Sequence, residues 1–148
     1  MDDLQKYVLN QPLHTEAFFT LVETTANLVA VSEKYWQSKG LNGARIRILV
    51  EIAKQGGSIL PSELALTIGV TKANISLLLT PLEKDGYISR ASDAADGRKT
   101  VISLTGKGEA LLEEHLPENR LAVGERMQRL EPQEMEQLMG LLRKLNRA

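Results

Sequence analysis

The chain of 148 residues contains no cysteine and only two histidines, His14 and His115. Without cysteine it can form no disulfide, no zinc–thiolate site and no thiol redox switch. The two histidines lie far apart in the sequence, so we predict no metal site. The sequence also lacks the G-x-S-x-G, H-E-x-x-H and phosphate-binding glycine-loop signatures. We therefore expect no enzyme, no catalytic residues and no cofactor.

Long apolar runs are also missing, and no stretch approaches the roughly 18 residues that a membrane helix needs. The chain opens with Met1, Asp2 and Asp3, which is not the basic start of a secretory signal. We therefore expect a cytoplasmic protein with no membrane partner. Eighteen Lys and Arg against 19 Asp and Glu give a net charge of −1. Any affinity for DNA must then come from local clusters of cations.

The most informative part of the sequence is a run of short elements between Ser62 and Gly108. A short helix, a glycine turn, a second helix and a charged hairpin follow one another. Pro61 suits the first position of a helix, Gly69 can supply the positive φ of a tight turn, and Thr71 can cap the second helix. This order is typical of a winged helix-turn-helix, which places one helix in the major groove of DNA.

The second helix of this pair carries polar and small side chains near its N-terminus, where a recognition helix contacts DNA. Asparagine can bind adenine, serine can bind bases or phosphates, and alanine can contact the methyl group of thymine. Pro81 lies inside the helix, which we expect to bend near 77–80 and to continue to about Lys84. The alternative is an ordinary helical hairpin with a solvated polar face, because an A-x-x-x-G spacing is common. The candidate DNA contacts in this helix are Thr71, Lys72, Ala73, Asn74 and Ser76.

The hairpin that follows is predicted from two segments rich in β-forming residues, 87–90 and 100–104, on either side of a turn. Arg98 and Lys99 lie at its tip, where arginine is suited to a narrow minor groove. Asp96 could orient Arg98 through a charge-assisted hydrogen bond. The alternative is a solvated tip with a weak surface ion pair.

Long helices are predicted on both sides of this region. Apolar residues keep a helical period from about 15 to 38, which would give a helix of roughly 35 Å. Pro117 should kink or break the helix after the hairpin near Leu116. A last helix is expected from Pro132, with a heptad-like apolar seam that could form a dimer or cap the core of a monomer. The candidate dimerisation residues are Leu138, Leu142 and Leu145.

The segment 41–112 resembles the MarR family, the multiple antibiotic resistance regulators. The resemblance implies a dimeric, ligand-responsive transcription regulator, usually a repressor, that binds a near-palindromic operator in double-stranded DNA. It implies recognition contacts by Lys72, Asn74 and Ser76, and a minor-groove contact by Arg98. The motifs that carry it are S-E-L-A at 62–65, G-V-T-K at 69–72, L-E-K-D-G at 82–86, D-x-x-D-G-R at 93–98 and L-T-G-K-G at 104–108.

The chain departs from the family pattern inside the recognition helix. Members of the family often carry an arginine where this chain has Leu77, and a basic residue where it has Pro81. Together with the net charge of −1, this favours one alternative, a winged-helix protein-interaction module without sequence-specific DNA binding. A second alternative is the dimerisation domain of an enzyme.

The resemblance also implies a cleft between the lobes for a small aromatic or phenolic ligand. Tyr35 and Trp36 beside Arg45 could suit a planar anion. In the alternative, Trp36 is a core anchor and Arg45 an exposed charge. The predicted fold is mainly α with a small β-hairpin. A winged helix-turn-helix lobe would span residues 41–108, and residues 1–40 and 109–148 would form a helical dimerisation lobe.

Overall fold

The structure is a computed structural model that describes residues 2–148. The chain is mainly helical with a small antiparallel sheet, which confirms the predicted fold class. The helices are α1 (Asp2–Leu9), α2 (Leu13–Ser38), α3 (Gly43–Lys54), α4 (Pro61–Ile68), α5 (Lys72–Lys84), α6 (Gly106–Met127) and α7 (Pro132–Leu145), and the strands are β1 (Ser58–Ile59), β2 (Ile88–Ser92) and β3 (Thr100–Leu104).

The chain divides into two compact units, one of residues 36–121 and one that joins residues 2–35 to 122–148. These boundaries differ from the predicted ones after residues 40 and 108. Trp36 and Leu112 are both buried in the unit of residues 36–121, so the end of α2 and the first turns of α6 belong to that unit. We call the first the winged unit and the second the terminal unit.

The core of the winged unit lies between α3, α4, α5 and the sheet. Each of these elements contributes a fully buried side chain: Leu49 from α3, Leu64 from α4, Leu79 from α5 and Ile102 from β3. Burying a side chain of this size stabilises the fold by roughly 1.5–3 kcal/mol. This packing fixes the direction of α5 relative to α4 and the sheet.

The sheet has three antiparallel strands in the order β1-β3-β2. Ile59 lies opposite Ile102, and the hydroxyl oxygens of Ser58 and Ser103 are 2.9 Å apart. The sequence did not predict β1, because two residues are too few to show an alternating pattern. β2 also continues two residues beyond the predicted end at residue 90, to Ser92.

The predicted helix boundaries around the turn are confirmed. The Asn42 side chain accepts hydrogen bonds at the start of α3. Thr71 accepts one from the Asn74 N–H, 3.2 Å away, at the start of α5. Gly69 has a φ of 84°, which an L side chain would strain to adopt. α5 continues through Pro81 to Lys84, and the bend expected near 77–80 stays a prediction.

Of the kink or break expected in α6 near Leu116, the break is absent, and the kink stays a prediction. α6 is helical from Gly106 to Met127 and contains Pro117. A proline here removes the hydrogen bond to the carbonyl of Glu113. The side chains of Glu113 and Pro117 are both exposed, so that carbonyl lies towards the outer side of α6, where water can replace the lost donor.

The terminal unit consists of α1, most of α2, the end of α6 and α7. The 26 residues of α2 make it about 39 Å long. None of the residues 2–35 or 122–148 has a fully buried side chain. α1 was not predicted, although Leu4, Tyr7 and Val8 have the i, i+3, i+4 spacing of one helical face.

Thr105 connects the end of α5 to the start of α6. Its hydroxyl donates to the Gly86 carbonyl at 2.5 Å and accepts the Gly108 N–H at 3.1 Å. Its own N–H donates to the Tyr87 carbonyl at 3.1 Å. Gly108 is buried in this junction, and a Cβ added there would overlap the Tyr87 carbonyl oxygen. The L-T-G-K-G motif therefore has a structural role.

We expect Gly108→Ala to destabilise the protein by about 1–3 kcal/mol, because the new methyl group must displace backbone. Gly106→Ala is the matched control, since a Cβ at Gly106 meets no atom within 4 Å. Urea unfolding followed by circular dichroism measures both variants. Equal stability of the two would contradict the close packing at Gly108.

Candidate nucleic-acid interface

The helix-turn-helix is formed by α4, the turn at Gly69 and α5. The two helices are bent by 106° relative to each other, within the roughly 90–120° that is usual for this motif. In residues 2–148, no single helix is long and apolar enough to cross a membrane.

The N-terminal part of α5 presents all five predicted contact residues on the surface. Ile75, Leu79 and Leu82 are at most 1% exposed, and they hold the opposite side of α5 in the core. The Thr71 cap positions the first turn, because it satisfies a backbone N–H that has no partner inside the helix. The exposed residues are Thr71, Lys72, Ala73, Asn74 and Ser76.

The side chains of this surface differ in their freedom to bind DNA. Within residues 2–148 neither the Lys72 ammonium nor the Asn74 amide has a hydrogen-bond or ion-pair partner. The Ser76 hydroxyl donates to the Lys72 carbonyl at 3.3 Å. Lys72 and Asn74 therefore keep all their side-chain donors for a ligand, while the hydroxyl of Ser76 remains free chiefly as an acceptor.

The wing is closed by aspartate side chains that bind the backbone. The Asp93 carboxylate accepts the Ala95 N–H, and the Asp96 carboxylate accepts the Arg98 N–H, each at 3.1 Å. The predicted charge-assisted hydrogen bond between Asp96 and Arg98 is present, and its donor is the backbone N–H of Arg98. Asp96 supports the backbone of Arg98, because a short aspartate side chain reaches the amide two residues further on.

The cations at the tip of the wing are unpaired in the part of the chain that the structure describes. Arg98 and Lys99 are exposed, and no carboxylate lies within salt-bridge distance of either side chain. By contrast, Arg90 in β2 forms an ion pair with Glu83, with an N–O distance of 3.3 Å. Of the three cationic side chains in β2, β3 and the loop between them, only Arg98 and Lys99 are therefore free to bind a phosphate or to enter a groove of DNA.

One surface groove joins the helix to the wing. Lys72 and Ser76 of α5 line it together with Ser62 of α4 and Lys99 and Thr100 of the wing. Its volume is about 480 Å³. Two lysines and several hydroxyl groups around one concave surface match the donors that bind DNA phosphates. Of the predicted DNA contacts, the groove thus brings together Lys72 and Ser76 of the helix and Lys99 of the wing.

The three predicted ligand residues have different environments. Trp36 is 3% exposed and packs edge-on to His115, so it is a core residue, as the alternative interpretation held. Arg45 forms an ion pair with Asp85 at 3.4 Å and lines a cavity of about 350 Å³. The residues that line this cavity include neither Trp36 nor Tyr35, which belongs to the terminal unit.

The predicted dimerisation residues lie on α7 in the terminal unit. Leu138 and Leu142 are half-buried within the protomer, whereas Leu145 is 67% exposed. The spacing of leucines on α7 predicted only part of the exposed apolar surface of this unit. The missed residues with large exposed apolar side chains include Leu4, Tyr7, Leu9, Leu13, Phe18, Met139 and Leu141.

The bent helix pair, the capped recognition helix and the wing with its free cations define a winged helix-turn-helix of the DNA-binding class. Among residues 2–148, no group of three His, Cys, Asp or Glu side chains is placed to hold a metal ion.

Comparison with known proteins agrees with this class. The sequence profile of the MarR family matches residues 39–99. The chain is 32% identical over 128 residues to the HTH-type transcriptional repressor YetL of Bacillus subtilis, covering 86% of this chain and 77% of that protein. The chain therefore belongs to the MarR family of transcription regulators.

Two solved structures share the fold at low sequence identity. A MarR variant from E. coli in complex with operator DNA has a TM-score of 0.80 at 22% identity and covers 93% of this chain and 100% of its own. BpsR of Bordetella bronchiseptica, whose DNA binding is regulated by 6-hydroxynicotinic acid, has a TM-score of 0.81 at 22% identity, covering 93% and 98%.

We expect Arg98→Ala to weaken binding to a duplex selected from a random pool by about 5- to 100-fold per half-site. The slope of log affinity against log salt should also flatten, by about 0.9 for each phosphate that the variant no longer neutralises. Arg90→Ala is the control, because its guanidinium is already paired with Glu83. Fluorescence anisotropy at several salt concentrations measures both. Equal effects of the two variants would show that the wing tip has no special role.

Proposed function

We propose that this protein is a homodimeric repressor that binds a near-palindromic operator and releases it in response to a small aromatic anion. The observation that supports this most directly is the single surface of the winged unit that joins Lys72 of α5 to Lys99 of the wing. The name of the relative YetL supports repression rather than activation. A regulator of bacterial operators acts in the cytoplasm, and the proposal involves no catalytic step.

The DNA contacts divide between the helix and the wing. We assign Asn74 to a base edge in the major groove, where its amide can bind adenine through two hydrogen bonds. Lys72 and Lys99 are assigned to phosphates, and Arg98 to the minor groove. The unpaired cations argue against the alternative of a protein-interaction module, because two free lysines in one groove and an exposed, unpaired Arg98 beside Lys99 suit a polyanion.

A second copy of the chain is the partner proposed for the terminal unit. Its helices expose many large apolar side chains and bury none fully within the protomer. Such a surface costs free energy in water unless another surface covers it. Twofold symmetry would also place two recognition helices about one DNA turn, roughly 34–36 Å, apart, which a near-palindromic operator requires.

We expect the wild type to sediment as a dimer at micromolar concentration and to protect a twofold-symmetric footprint upstream of its own gene. The double variant Leu141→Asp, Leu145→Asp should raise the dimer dissociation constant more than about 100-fold, because four apolar side chains leave the interface. These positions are exposed in the protomer, so its fold should survive.

Leu66→Asp is the matched control for this prediction, since Leu66 is an exposed leucine outside the terminal unit. It should leave the sedimentation unchanged. A wild type that stays monomeric, or that protects a single asymmetric half-site, would contradict the proposed homodimer.

The proposed effector site is the cavity beside Arg45 in the winged unit. Arg45, Asp85 and Tyr87 provide its polar groups, and apolar side chains such as Leu41 and Leu111 line the rest. The Arg45–Asp85 ion pair is more than 40% exposed on both sides, so it is worth only ~0–1 kcal/mol. A carboxylate from a planar ligand could therefore take the place of Asp85 on Arg45.

Binding at Arg45 would act on the recognition helix through Asp85. Asp85 is the residue that ends α5, and its carbonyl accepts a hydrogen bond from the Lys107 ammonium at 2.7 Å. A ligand that displaces the Asp85 side chain changes the contacts of this helix end. Release of DNA then requires that the ligand bind the altered arrangement more tightly than the DNA-binding one.

We expect 6-hydroxynicotinic acid or benzoate at millimolar concentration to raise the melting temperature and to weaken binding to the operator. Ligand at ten times its dissociation constant should stabilise the protein by about 1.4 kcal/mol. Arg45→Met should lose both responses, and Arg45→Lys should keep them in part because the cation remains. Wild-type melting and DNA affinity that do not change with either acid would contradict this site.

A further inference from the structure

We propose that an apolar stripe on the outer face of α5, formed by Ala73, Leu77 and Thr80, contacts the 5-methyl groups of thymine, and that Leu77 determines this specificity. The proposal rests on the proposed binding of α5 in the major groove. It goes further in assigning a base preference to the middle of the helix, around Leu77.

The spacing of the stripe places its three members on one face of α5. Ala73, Leu77 and Thr80 are related as i, i+4 and i+7, so they lie within about 60° of one another around the helix axis. Each residue of the apolar stripe is followed, two positions later, by a residue of α5 that is buried in the core. Two positions correspond to a rotation of about 200° around the helix axis, so the apolar stripe points away from the core. The buried stripe consists of Ile75, Leu79 and Leu82.

Leu77 has no packing partner that would explain it within the protomer. Its side chain is 72% exposed, whereas Leu79 in the same helix is 1% exposed. A lone exposed leucine is common on protein surfaces. This one, however, lies on the exposed side of the proposed recognition helix, with the exposed Ala73 one turn before it and the exposed Thr80 one turn after it.

The hydroxyl groups near Leu77 are turned back onto the helix. Thr80 donates to the Ser76 carbonyl at 2.9 Å, and Ser76 donates to the Lys72 carbonyl at 3.3 Å. Neither hydroxyl proton is therefore available to a base edge, and Thr80 keeps a methyl group that makes no hydrogen bond. The middle of the recognition helix thus offers mostly apolar atoms, while the polar groups lie in its first turn.

Thymine is the base that fits such a surface. It alone among the four bases presents a methyl group in the major groove, and alanine and threonine methyl groups are known types of contact to it. The stripe contains no arginine or lysine, so it cannot bind guanine through two hydrogen bonds. From residue 73 to 80 the helix rises about 10.5 Å, which spans about three base pairs.

The test replaces thymine by deoxyuridine, which removes only the 5-methyl group. A duplex is first selected from a random pool with the full-length wild type, and each thymine in a half-site is then replaced in turn. For one to three neighbouring positions, we expect the wild type to lose about fourfold in affinity for each methyl group. Leu77→Ala should bind the thymine duplex more weakly and lose less than about twofold on replacement.

Leu66→Ala is the matched control, because Leu66 is a leucine of similar exposure, 84%, on α4. It should show the same deoxyuridine losses as the wild type. A second variant, Leu77→Arg, tests for a new base preference, which an unfolded protein could not show. It should move the base preference at the contacted position from thymine towards guanine, since arginine binds guanine through two hydrogen bonds.

Each outcome decides the proposal. Equal deoxyuridine losses in the wild type and Leu77→Ala, or unchanged affinity of Leu77→Ala for the thymine duplex, would overturn the stripe while leaving DNA binding intact. Unchanged affinity would also be the result if Leu77 served a protein partner. If the wild type selects no duplex at all, the proposed DNA binding fails and the stripe fails with it.

Discussion

The orientation of the recognition helix depends on the junction at Thr105. One side chain and its own amide bind Gly86, Tyr87 and Gly108, so the end of α5, the start of the wing and the first turn of α6 meet at a single point. Gly108 allows this approach because it has no Cβ. The core packing of α5 fixes its rotation about its axis, and the junction fixes where the helix ends.

The buried side, the first turn and the C-terminal end of α5 have different roles. The buried stripe holds the helix in the core. The first turn carries free polar groups such as those of Lys72 and Asn74. The end of the helix is held by Lys107 and touches Arg45 through Asp85. Asp85, where an effector is proposed to act, is thus eleven residues, or about 17 Å of helix, from the base contact proposed for Asn74. A rigid helix can transmit a small displacement over that distance.

Sequence patterns predicted the features that depend on near neighbours in the chain. The Thr71 cap, the Gly69 turn and the passage of α5 through Pro81 each involve residues within a few positions of one another. For Pro117 the same reasoning left open a break that α6 does not have, because the rule for proline takes no account of which side of a helix faces water. For Asp96 the sequence left open which group of Arg98 would donate, and the structure shows that it is the backbone N–H.

The class of fold, the order of the elements and the exposed residues of the recognition helix follow from the chain alone, since caps, turns and helical periods are local. Which residues lie together across long separations emerged only from the three-dimensional packing. β1 exists because Ser58 pairs with Ser103, 45 residues away. Arg45 meets Asp85 across 40 residues, and Lys72 shares a groove with Lys99. Such contacts arise from packing, because burial in a shared core selects which distant segments meet.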